Sequence, residues 1–593
     1  FPTMFLVCLL VVAAVIAWAF WPSTPEAVQF LAELDSLDHE EEGVVSTKAQ
    51  RRLAYEFKAE FGEVSATKAN RLLASDWIRE KMRKEEWRTV DIVRYFPLAV
   101  ELALTPTSHH SSAATLVTAG VVRARRGHVD HALGCPAVFP GVVTKISRLG
   151  HSGLHIRKLG RWTKRPQRCV RYMAGIGAGV SYGVHSESLT NLARGIVERV
   201  LNVVRDGELC EVPRPADGVF KRLSGFRTAL VRRTPSTPVV SREEYPLLYT
   251  GRKRDVYQRA CDSLASEAVS RRDSRVKTFV KAEKINFSAK VDPAPRVIQP
   301  RDPRYNLEVG RYLKKAEAAL FQGVARLFGY KAVVKGLNAD DVGGLLFSHW
   351  SSFSKPVAIG LDASRFDQHV SKDALSWEHS VYNMLFRSRE LARLLRWQLH
   401  NRGVAWVEGH KVTYEVEGKR MSGDINTGLG NCLLMVAIVK TYFDHVGVNA
   451  RLVNNGDDCV IVCEQSDLGK FDALSAWFLE FGFTLEIEPP VTILERVVFC
   501  QSQPVKIGGA YRMVRDPRVA QSKDAVSLQG WDSATSVSYW CHSIGSCGLA
   551  LTRGVPVWEA WYGMLLRHGT KPSEGYTEAV GVSGMWYAAQ GVR

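Results

Sequence analysis

The 593-residue sequence lacks the cysteine spacings of a metal-binding or disulfide-bonded scaffold. Its 11 cysteines are scattered, with no CxxC pair and no His/Cys array at the spacing of a zinc site. The nearest cluster, Cys541-His542 with Cys547, is more typical of core packing. We therefore exclude a zinc scaffold of this kind and expect reduced thiols in a cytosolic setting. Internal repeats and low-complexity tracts are also absent from the sequence.

Acidic residues are fewer than basic ones, and this restricts the partners of the chain. Asp and Glu number 61 against 78 Lys and Arg, a formal net charge of +17, in a globular composition that is 46% apolar. Such a chain is expected to meet a polyanion, either nucleic acid or an anionic membrane surface. The stretch from Lys145 to Arg171 contains nine Lys and Arg and no acid. It is either a solvated face or a contact with nucleic acid or lipid.

Charge is missing altogether from residues 4–21, near the N-terminus. This run is just long enough to span a bilayer, and Trp18 and Trp21 lie where an aromatic belt would be. A signal peptide is the alternative, although no Lys or Arg precedes the run. We expect a membrane anchor at residues 1–25, followed by a mostly helical accessory region at residues 26–145.

The segment 452–462, LVNNGDDCVIV, places two adjacent acids between apolar runs. Its flanks are β-formers and its Asn-Asn-Gly-Asp stretch is typical of a tight turn, so a hairpin is predicted. Asp457 and Asp458 would repel each other near its tip unless a cation were present. Taken alone, the triplet is equally compatible with an ordinary turn.

Another acid follows a predicted buried strand at residues 357–361. Asp362 ends this strand, Asp367 comes after four intervening residues, and Ser371 is placed to cap a helix. If the strand pairs with the hairpin, Asp362 meets Asp457, and two such carboxylates can hold two Mg²⁺ ions about 3.5–4 Å apart for phosphoryl transfer. Taken singly, Asp362 is better explained as a turn residue that ends the strand.

Two further segments carry groups suited to a nucleotide. Residues 420–431 contain Ser422, Thr427 and Asn431, neutral partners for a sugar hydroxyl, although a well-capped helix start would use the same residues. Upstream, residues 275–306 alternate basic and apolar positions, which predicts strands with one cationic face for triphosphate or template phosphates. The basic residues are Lys277, Lys281, Lys284, Lys290, Arg296, Arg301 and Arg304.

The order of these segments, basic strands, DxxxxD, SGxxNTxxxxN and GDD, resembles motifs F, A, B and C of viral RNA-dependent RNA polymerases. The match is similar to the tombusvirus/carmovirus-like replicases of positive-strand RNA viruses, with hepatitis C virus-type polymerases as more distant relatives. It is carried by PAPRVIQPRDPRYN, GLDASRFDQHVS, SGDINTGLGNCLLM and NNGDDCVIV. VVFCQSQPV at 497–505 resembles the primer-grip hairpin, motif E. The resemblance covers roughly residues 170–560.

The resemblance implies an α+β fold, a closed right hand of fingers, palm and thumb with a ferredoxin-like palm sheet. A helical, membrane-anchored N-terminal region would precede it. The polymerase region is expected at residues 171–593, after a basic linker at 146–170. Within it we expect fingers at about 171–355 and 390–420, palm at about 356–389 and 421–496, and thumb at about 497–593.

The resemblance also implies metal ligands and phosphate contacts. Asp362 would bind both Mg²⁺ ions, with Mn²⁺ as an alternative metal, and Asp457 would bind metal at the hairpin tip. Asp458 would be a weaker or indirect ligand. The resemblance implies that Arg296 contacts the incoming triphosphate and that Lys281 and Lys284 support this contact. Glu283 matches an acid of the family that pairs with these cations.

Recognition of the ribose 2′-hydroxyl is implied for three polar side chains and one threonine that positions them. These are Asp367, Ser422, Asn431 and Thr427. One element of the family pattern is missing, because the stretch that matches motif D, residues 478–490, contains no lysine. A lysine there is commonly proposed to protonate the leaving pyrophosphate, and Lys470 comes too early to replace it.

The function that the resemblance implies is RNA-directed RNA synthesis from NTPs for a positive-strand RNA virus. Template and product RNA are then partners, and self-association and viral or host replication proteins are further ones. The expected location is the host cytoplasm, on an intracellular membrane. A reverse transcriptase or DNA polymerase is disfavoured because Asp367 and Asn431 would accept a 2′-hydroxyl. A non-enzymatic, membrane-bound RNA-binding scaffold would not explain why the acidic motifs DxxxxD and GDD occur in this order along the chain.

Overall fold

The structure, a computed structural model, describes residues 56–57, 77, 80–81, 137–160, 167–173, 180–531 and 533–572. Within these ranges, no helix combines the length and the apolar character needed to cross a bilayer. The expected membrane anchor at residues 1–25 lies outside them.

The chain divides into two units, residues 1–121 and residues 122–593. The described residues of the first unit are helical, and the ring of Phe57 lies edge-on to that of Trp77 with 5.4 Å between centroids. Nearly all of the expected accessory region lies outside the described residues. The elements that follow belong to the second unit.

The strands of the second unit are mostly short and are numbered in chain order. They are β1 Ala137–Pro140, β2 His155–Lys158, β3 Cys169–Tyr172, β4 Tyr182–Gly183, β5 Val203–Arg205, β6 Glu208–Cys210, β7 Val276–Lys277, β8 Phe279–Val280, β9 Ile285–Asn286, β10 Val297–Ile298, β11 Pro356–Ala363, β12 His400–Val407, β13 His410–Glu417, β14 Ala450–Asn455, β15 Asp458–Glu464, β16 Leu485–Ile487, β17 Ser502–Ile507, β18 Ala510–Arg515 and β19 Val526–Ser527.

The α-helices are numbered in the same way. They are α1 Leu189–Ile196, α2 Ser224–Arg233, α3 Gly251–Ser266, α4 Pro303–Phe328, α5 Ala339–Trp350, α6 Phe366–His369, α7 Lys372–Phe386, α8 Arg389–Arg396, α9 Thr427–Val446, α10 Leu474–Glu480, α11 Pro517–Asp524, α12 Ala534–Thr552 and α13 Trp558–Arg567. Ser371 caps α7 as predicted, because its side chain accepts the backbone N–H of Ala374.

A four-stranded antiparallel sheet with the order β14-β15-β11-β16 carries the acidic segments. In chain order, β11, α9, β14, β15, α10 and β16 have the β-α-β-β-α-β arrangement of a ferredoxin-like sheet. The segment from α6 to β13 is inserted between the first strand and its crossover helix. The architecture mixes helices and strands, as expected for an α+β protein.

The side chains of β11 alternate between two apolar layers, as the pleat of a strand requires. Val357, Ile359 and Leu361 belong to the core cluster that includes α9. Ala358, on the opposite face, packs in a second cluster with residues of α5 and of the β17–β18 hairpin. Because both faces are covered, a charged residue such as Asp362 is accommodated only where the strand leaves the core.

A second four-stranded sheet, in the order β2-β13-β12-β7, includes a strand from the segment expected to be a basic linker. In that segment, β2 pairs with β13, and β3 pairs with both β1 and β19. Arg168 pairs with Glu187 at 3.1 Å. The described part of the basic stretch is therefore joined to the rest of the unit by strand pairing.

Residues 275–306 form the short strands β7 to β10 and then enter α4. Their cations do not share one face. Arg301 is buried in an ion pair with Asp424, and Arg304 lies in α4 beside Asp273 at 3.5 Å. The prediction of a single cationic face is wrong for these two arginines, because a charge that enters the interior must be paired there.

We expect His349 to make the protein sensitive to acid. It is buried in α5, and neither ring nitrogen has a hydrogen-bond partner among the described residues. Burial, with a contribution from Arg451, lowers the pKa of this imidazole to about 4. The folded protein then binds the proton less well than the unfolded chain. Stability is therefore complete above the unfolded pKa and lost as the pH falls toward 4.

His349→Phe is expected to match the parent at pH 7.5 and to be about 2 kcal/mol more stable at pH 5. Urea unfolding at the two pH values measures the difference. The exposed His155 provides a control, since His155→Gln should lose as much stability in acid as the parent does. An equal acid loss in His349→Phe and the parent would contradict the assignment.

Candidate active site

Asp362 and the Asp457–Asp458 pair lie at the same end of the ferredoxin-like sheet. Strands β11 and β15 pair with Asp362 directly opposite Asp458. Gly456 has φ +87° in the β14–β15 turn, a left-handed conformation that glycine adopts without steric penalty. The turn leaves Asp457 exposed at its tip, and Asp362 is exposed as well. The predicted strand, hairpin and meeting of the two acidic segments are confirmed.

These carboxylates repel one another. Although the Asp457 side chain reaches solvent, nearby protein displaces part of the water around its carboxylate, and this desolvation raises the pKa of Asp457. The charge of Asp362 raises that pKa further, whereas Arg296 and Lys335 lower it. Burial likewise raises the pKa of Asp458, to about 6. Concentrated negative charge in partly desolvated surroundings is unfavourable, and a bound cation would relieve it.

Asp458 differs from Asp457 in its partner. One carboxylate oxygen of Asp458 accepts the backbone N–H of Cys500 at 2.9 Å. Cys500 also meets the side-chain amide of Asn455, with 3.1 Å between sulfur and nitrogen. The segment that leads into β17, which resembles motif E, is thus tied to the hairpin through one oxygen of Asp458.

The donor set fits a hard divalent cation, but only in part. Glu486 lies opposite Asp362 in the β11–β16 register, and Glu488 has a pKa raised by burial and by Asp362. Among the described residues, no group of three or more His, Cys, Asp or Glu is placed to hold a metal. Mg²⁺ usually takes one or two carboxylates and completes its shell with water and phosphate oxygens. The two exposed aspartates match that requirement.

The other predicted carboxylate, Asp367, lies at the start of α6 and meets α9. The Asn431 amide donates to Asp367 Oδ1 at 2.8 Å, and Asn431 Oδ1 accepts from Arg420 Nε at 3.0 Å. Burial raises the pKa of Asp367, while Asn431 and Arg420 lower it. The structure therefore brings together two of the residues predicted to read the sugar.

The two predicted hydroxyls face the backbone. Ser422 Oγ accepts the N–H of Gln299 at 3.2 Å. Thr427 Oγ1 lies 3.0 Å from the carbonyl oxygen of Met421 and 2.9 Å from that of Asp424, so it closes the loop ahead of α9. Thr427 orders the loop and does not itself meet Asp367 or Asn431.

Two of the predicted phosphate contacts share one acid. Arg296 lies 3.2 Å and Lys281 2.9 Å from Glu283. Arg296 is exposed, and its charge acts on both Asp367 and Asp457. The expected pairing of Glu283 with these cations is present.

Lys284 points elsewhere. Its ammonium donates to the carbonyl oxygen of Lys523, the penultimate residue of α11, at 2.9 Å. Burial lowers the pKa of Lys284 to about 8, although Asp524 opposes the shift. Lys284 therefore joins the basic segment to α11 and is not grouped with Arg296 and Lys281.

Sequence reasoning missed Lys335, a cation beside the hairpin. Lys335 Nζ donates to Asn455 Oδ1 at 2.9 Å, and its loop is joined to β14 because the N–H of Val334 donates to the carbonyl oxygen of Asn454. Its signal was a lysine within a run of small and apolar residues, YKAVVKGLN, with no motif to mark it. It also missed Glu378 and Arg420, whose contacts are described below.

A cleft of about 760 Å³ borders the hairpin at Asn455 and Cys500. Lys284, Lys335 and Lys523 line it, and so do residues of α11, α12 and α13. Asp362 and Asp457 lie outside its lining. A basic cleft beside exposed carboxylates can admit a polyanion next to a site for cations.

Comparison with known proteins identifies the family of this chain. The family model described as viral RNA dependent RNA polymerase matches residues 155–590, and one described as Tombusvirus p33 matches residues 3–109. The RNA-directed RNA polymerase of tobacco necrosis virus (strain D) is 41% identical over 540 residues, which cover 88% of this chain and 74% of that protein.

Two other RNA-directed RNA polymerases are similar. That of tobacco necrosis virus (strain A) is 40% identical over 90% of this chain and 78% of the relative. That of turnip crinkle virus is 46% identical over 73% of this chain but only 56% of the relative. The chain thus spans from about half to about three quarters of these relatives. The resemblance to tombusvirus/carmovirus-like replicases and the enzyme class, an RNA-directed RNA polymerase, are confirmed, and the chain belongs to the viral RNA dependent RNA polymerase family.

Proposed function

We propose that this polymerase extends RNA on the RNA genome of a positive-strand virus by two-metal nucleotidyl transfer from NTPs. The observation that supports this most is the register of β11 and β15, which sets Asp362 beside the Asp457–Asp458 hairpin. Two carboxylates at the same end of a sheet could hold divalent cations, which would stabilise the charge that develops in a phosphoryl transfer.

In this proposal Asp362 and Asp457 hold Mg²⁺, with Mn²⁺ as an alternative. The metal, when bound, supplies charge stabilisation to the transferring phosphoryl group. Asp458 keeps its hydrogen bond to Cys500 and so positions the motif E segment, acting on the metal only indirectly. The oxygen donors of the two exposed aspartates are the support for this assignment.

Arg296 and Lys281 receive the triphosphate of the incoming NTP. Both lie near Glu283, which neutralises them while the site is empty of substrate. Phosphate oxygens would compete with Glu283 for these cations, since guanidinium and ammonium groups bind phosphate by charge-assisted hydrogen bonds. Lys284, which donates to α11, stabilises the arrangement of the two segments and is not assigned to the triphosphate in this proposal.

The right-hand architecture is part of the proposal. The ferredoxin-like sheet would lie in the palm, residues 171–355 and 390–420 would form the fingers, and residues 497–593, which include α11 to α13, would form the thumb. No lysine stands in residues 478–490, and Lys470 pairs with Asp467 at 2.9 Å. The proton donor for pyrophosphate is therefore left unassigned.

We further propose attachment to a host intracellular membrane through the apolar residues 4–21. The match of residues 3–109 to the Tombusvirus p33 family model supports a replication-protein context for this region. Template and product RNA and NTPs are the proposed partners of the catalytic part. Self-association and viral or host replication proteins are proposed as further partners.

A reverse transcriptase or DNA polymerase is the second candidate. The Asp367–Asn431 contact disfavours it, because a carboxylate and an amide at this place offer hydrogen bonds to a 2′-hydroxyl. A DNA polymerase must instead exclude that hydroxyl. Incorporation of rNTPs against dNTPs on one RNA template separates the two candidates.

Asp457→Asn is expected to lower nucleotide addition by about 10³-fold, since it removes a metal-binding charge worth several kcal/mol to the transition state. Asp362→Asn should have a similar effect. RNA affinity should persist in both variants, because it comes mainly from Lys and Arg. Single-turnover extension of a primed RNA template measures the first quantity, and filter binding measures the second.

Glu390→Gln is the matched control for these two variants, because Glu390 forms a surface pair with Arg393 on α8. It should keep the parent rate. Near-parental synthesis by Asp362→Asn or Asp457→Asn would refute the two-metal assignment.

Asn431→Ala or Asp367→Ala is expected to narrow the preference for rNTP over dNTP by about 10- to 100-fold, since a polar partner of the 2′-hydroxyl is lost. The ratio of kcat/KM values for the two substrates measures the preference independently of the overall rate.

Asn383→Ala, which removes a comparable amide from α7, should leave the ratio unchanged. An unchanged ratio in both site variants would make these residues structural.

Deletion of residues 1–25 is expected to move the protein from membrane to soluble fractions, because the uncharged run is lost. Extension of a supplied template should persist, since the residues proposed for catalysis all lie beyond position 280. Flotation of the parent and the truncated protein from cell extracts decides the point. Continued flotation of the truncated protein would place the membrane contact elsewhere in the chain.

A further inference from the structure

A buried ion pair lies directly behind Asn431. Glu378 of α7 and Arg420, which precedes the loop to α9, form it through Arg420 Nη2 and Glu378 Oε2. Both side chains are 0% exposed. The backbone N–H of Arg420 also donates to the carbonyl oxygen of Asp367 at 2.9 Å. The pair is therefore tied to both residues proposed to read the sugar.

Glu378 is held by more than its ion pair. Its Oε1 accepts from the hydroxyl of Tyr382 at 2.8 Å and from the amide of Asn426 at 2.7 Å. Gln398 in turn donates to Asn426 at 3.1 Å. With these donors in place the carboxylate has one orientation, and Arg420 has a fixed counter-charge.

The position of Gly430 makes room for this pair. A Cβ added to Gly430 would collide with Arg420 Nη2 and Glu378 Oε1. A glycine one residue before Asn431 is thus required for two charged groups to fit under α9. Burying an ion pair contributes little net stability, because desolvation offsets the attraction. Its presence here calls for a reason other than stability.

That reason lies in the amide of Asn431. Arg420 has only donors and cannot accept a hydrogen bond, so Asn431 must turn its oxygen toward the guanidinium, where Nε donates at 3.0 Å. The amide nitrogen then faces Asp367 at 2.8 Å. A flipped amide would set donor against donor at Arg420 and acceptor against acceptor at Asp367.

We propose that Glu378 and Arg420 are positioning residues for ribose selection. They orient Asn431 so that its amide N–H groups face Asp367 and the sugar, while Asp367 presents an acceptor. A ribose 2′-hydroxyl, which both donates and accepts, satisfies this arrangement, and a deoxyribose leaves it unpaired. The proposal rests on the function proposed above for Asp367 and Asn431.

Glu378→Gln tests the proposal, because it keeps the size of the side chain and removes the counter-charge of Arg420. We expect the rNTP-to-dNTP ratio of kcat/KM to fall about tenfold, mainly through poorer use of rNTP. A merely structural role would lower stability without changing this ratio.

Glu308→Gln is the matched control. Glu308 of α4 is also buried, with its side chain 2% exposed, and it pairs with Arg311 at 3.6 Å. Its thermal midpoint should fall as that of Glu378→Gln does, with the parental sugar ratio kept. Equal ratios in the parent, Glu378→Gln and Glu308→Gln would overturn the proposal.

Tyr382→Phe provides a second test if Glu378→Gln fails to fold. It removes only the Tyr382 hydroxyl, which donates a hydrogen bond to Glu378. A two- to threefold fall in the sugar ratio is expected, in the same direction, and an unchanged ratio overturns the proposal. The underlying function is judged separately with Asn431→Ala. If that variant keeps the parental ratio, the sugar-reading assignment fails, whatever Glu378 does.

Discussion

The antiparallel register between β11 and β15 is the constraint on which the site depends. It places Asp362 opposite Asp458 and leaves Asp457 at the adjoining turn. Because side chains alternate along a strand, a slip of one residue would move Asp362 into an apolar layer. Ala358 and Ile359, on opposite faces of β11, oppose such a slip, since each belongs to a different core cluster. The two apolar layers therefore hold the acids in place.

Several polar contacts around this sheet fix the orientation of groups near the exposed carboxylates. Lys335 holds Asn455 in the hairpin, Asp458 holds the N–H of Cys500, and Arg420 holds the Asn431 amide. The first two contacts join segments that are far apart in the sequence, and the third closes the loop that leads into α9. Groups with a single orientation cost less to order when substrate arrives, so rigidity here favours both rate and selectivity.

The sequence was informative where the signal was local. An apolar run ending in Asp362 and a glycine turn before Asp457 predicted strand, hairpin and acids, because strand pattern and turn chemistry depend on near neighbours. It was uninformative where partners are distant. Lys284 and Arg301 have the same local pattern as Arg296, yet the first meets α11 and the second meets Asp424. Basic side chains gave no sign of which would be buried, because burial is decided by tertiary contacts.

The cations of the candidate site have a counter-charge, but its exposed carboxylates do not have one of comparable kind. Arg296 and Lys281 pair with Glu283, whereas the charge of Asp362 acts on Asp457 and helps to raise its pKa. Under the proposed function, a divalent cation would remove this repulsion, while a triphosphate would have to displace Glu283 from its two cations. A nucleotide that brought its own metal would supply counter-charges to both groups together. The proposed site would therefore favour the metal–nucleotide complex.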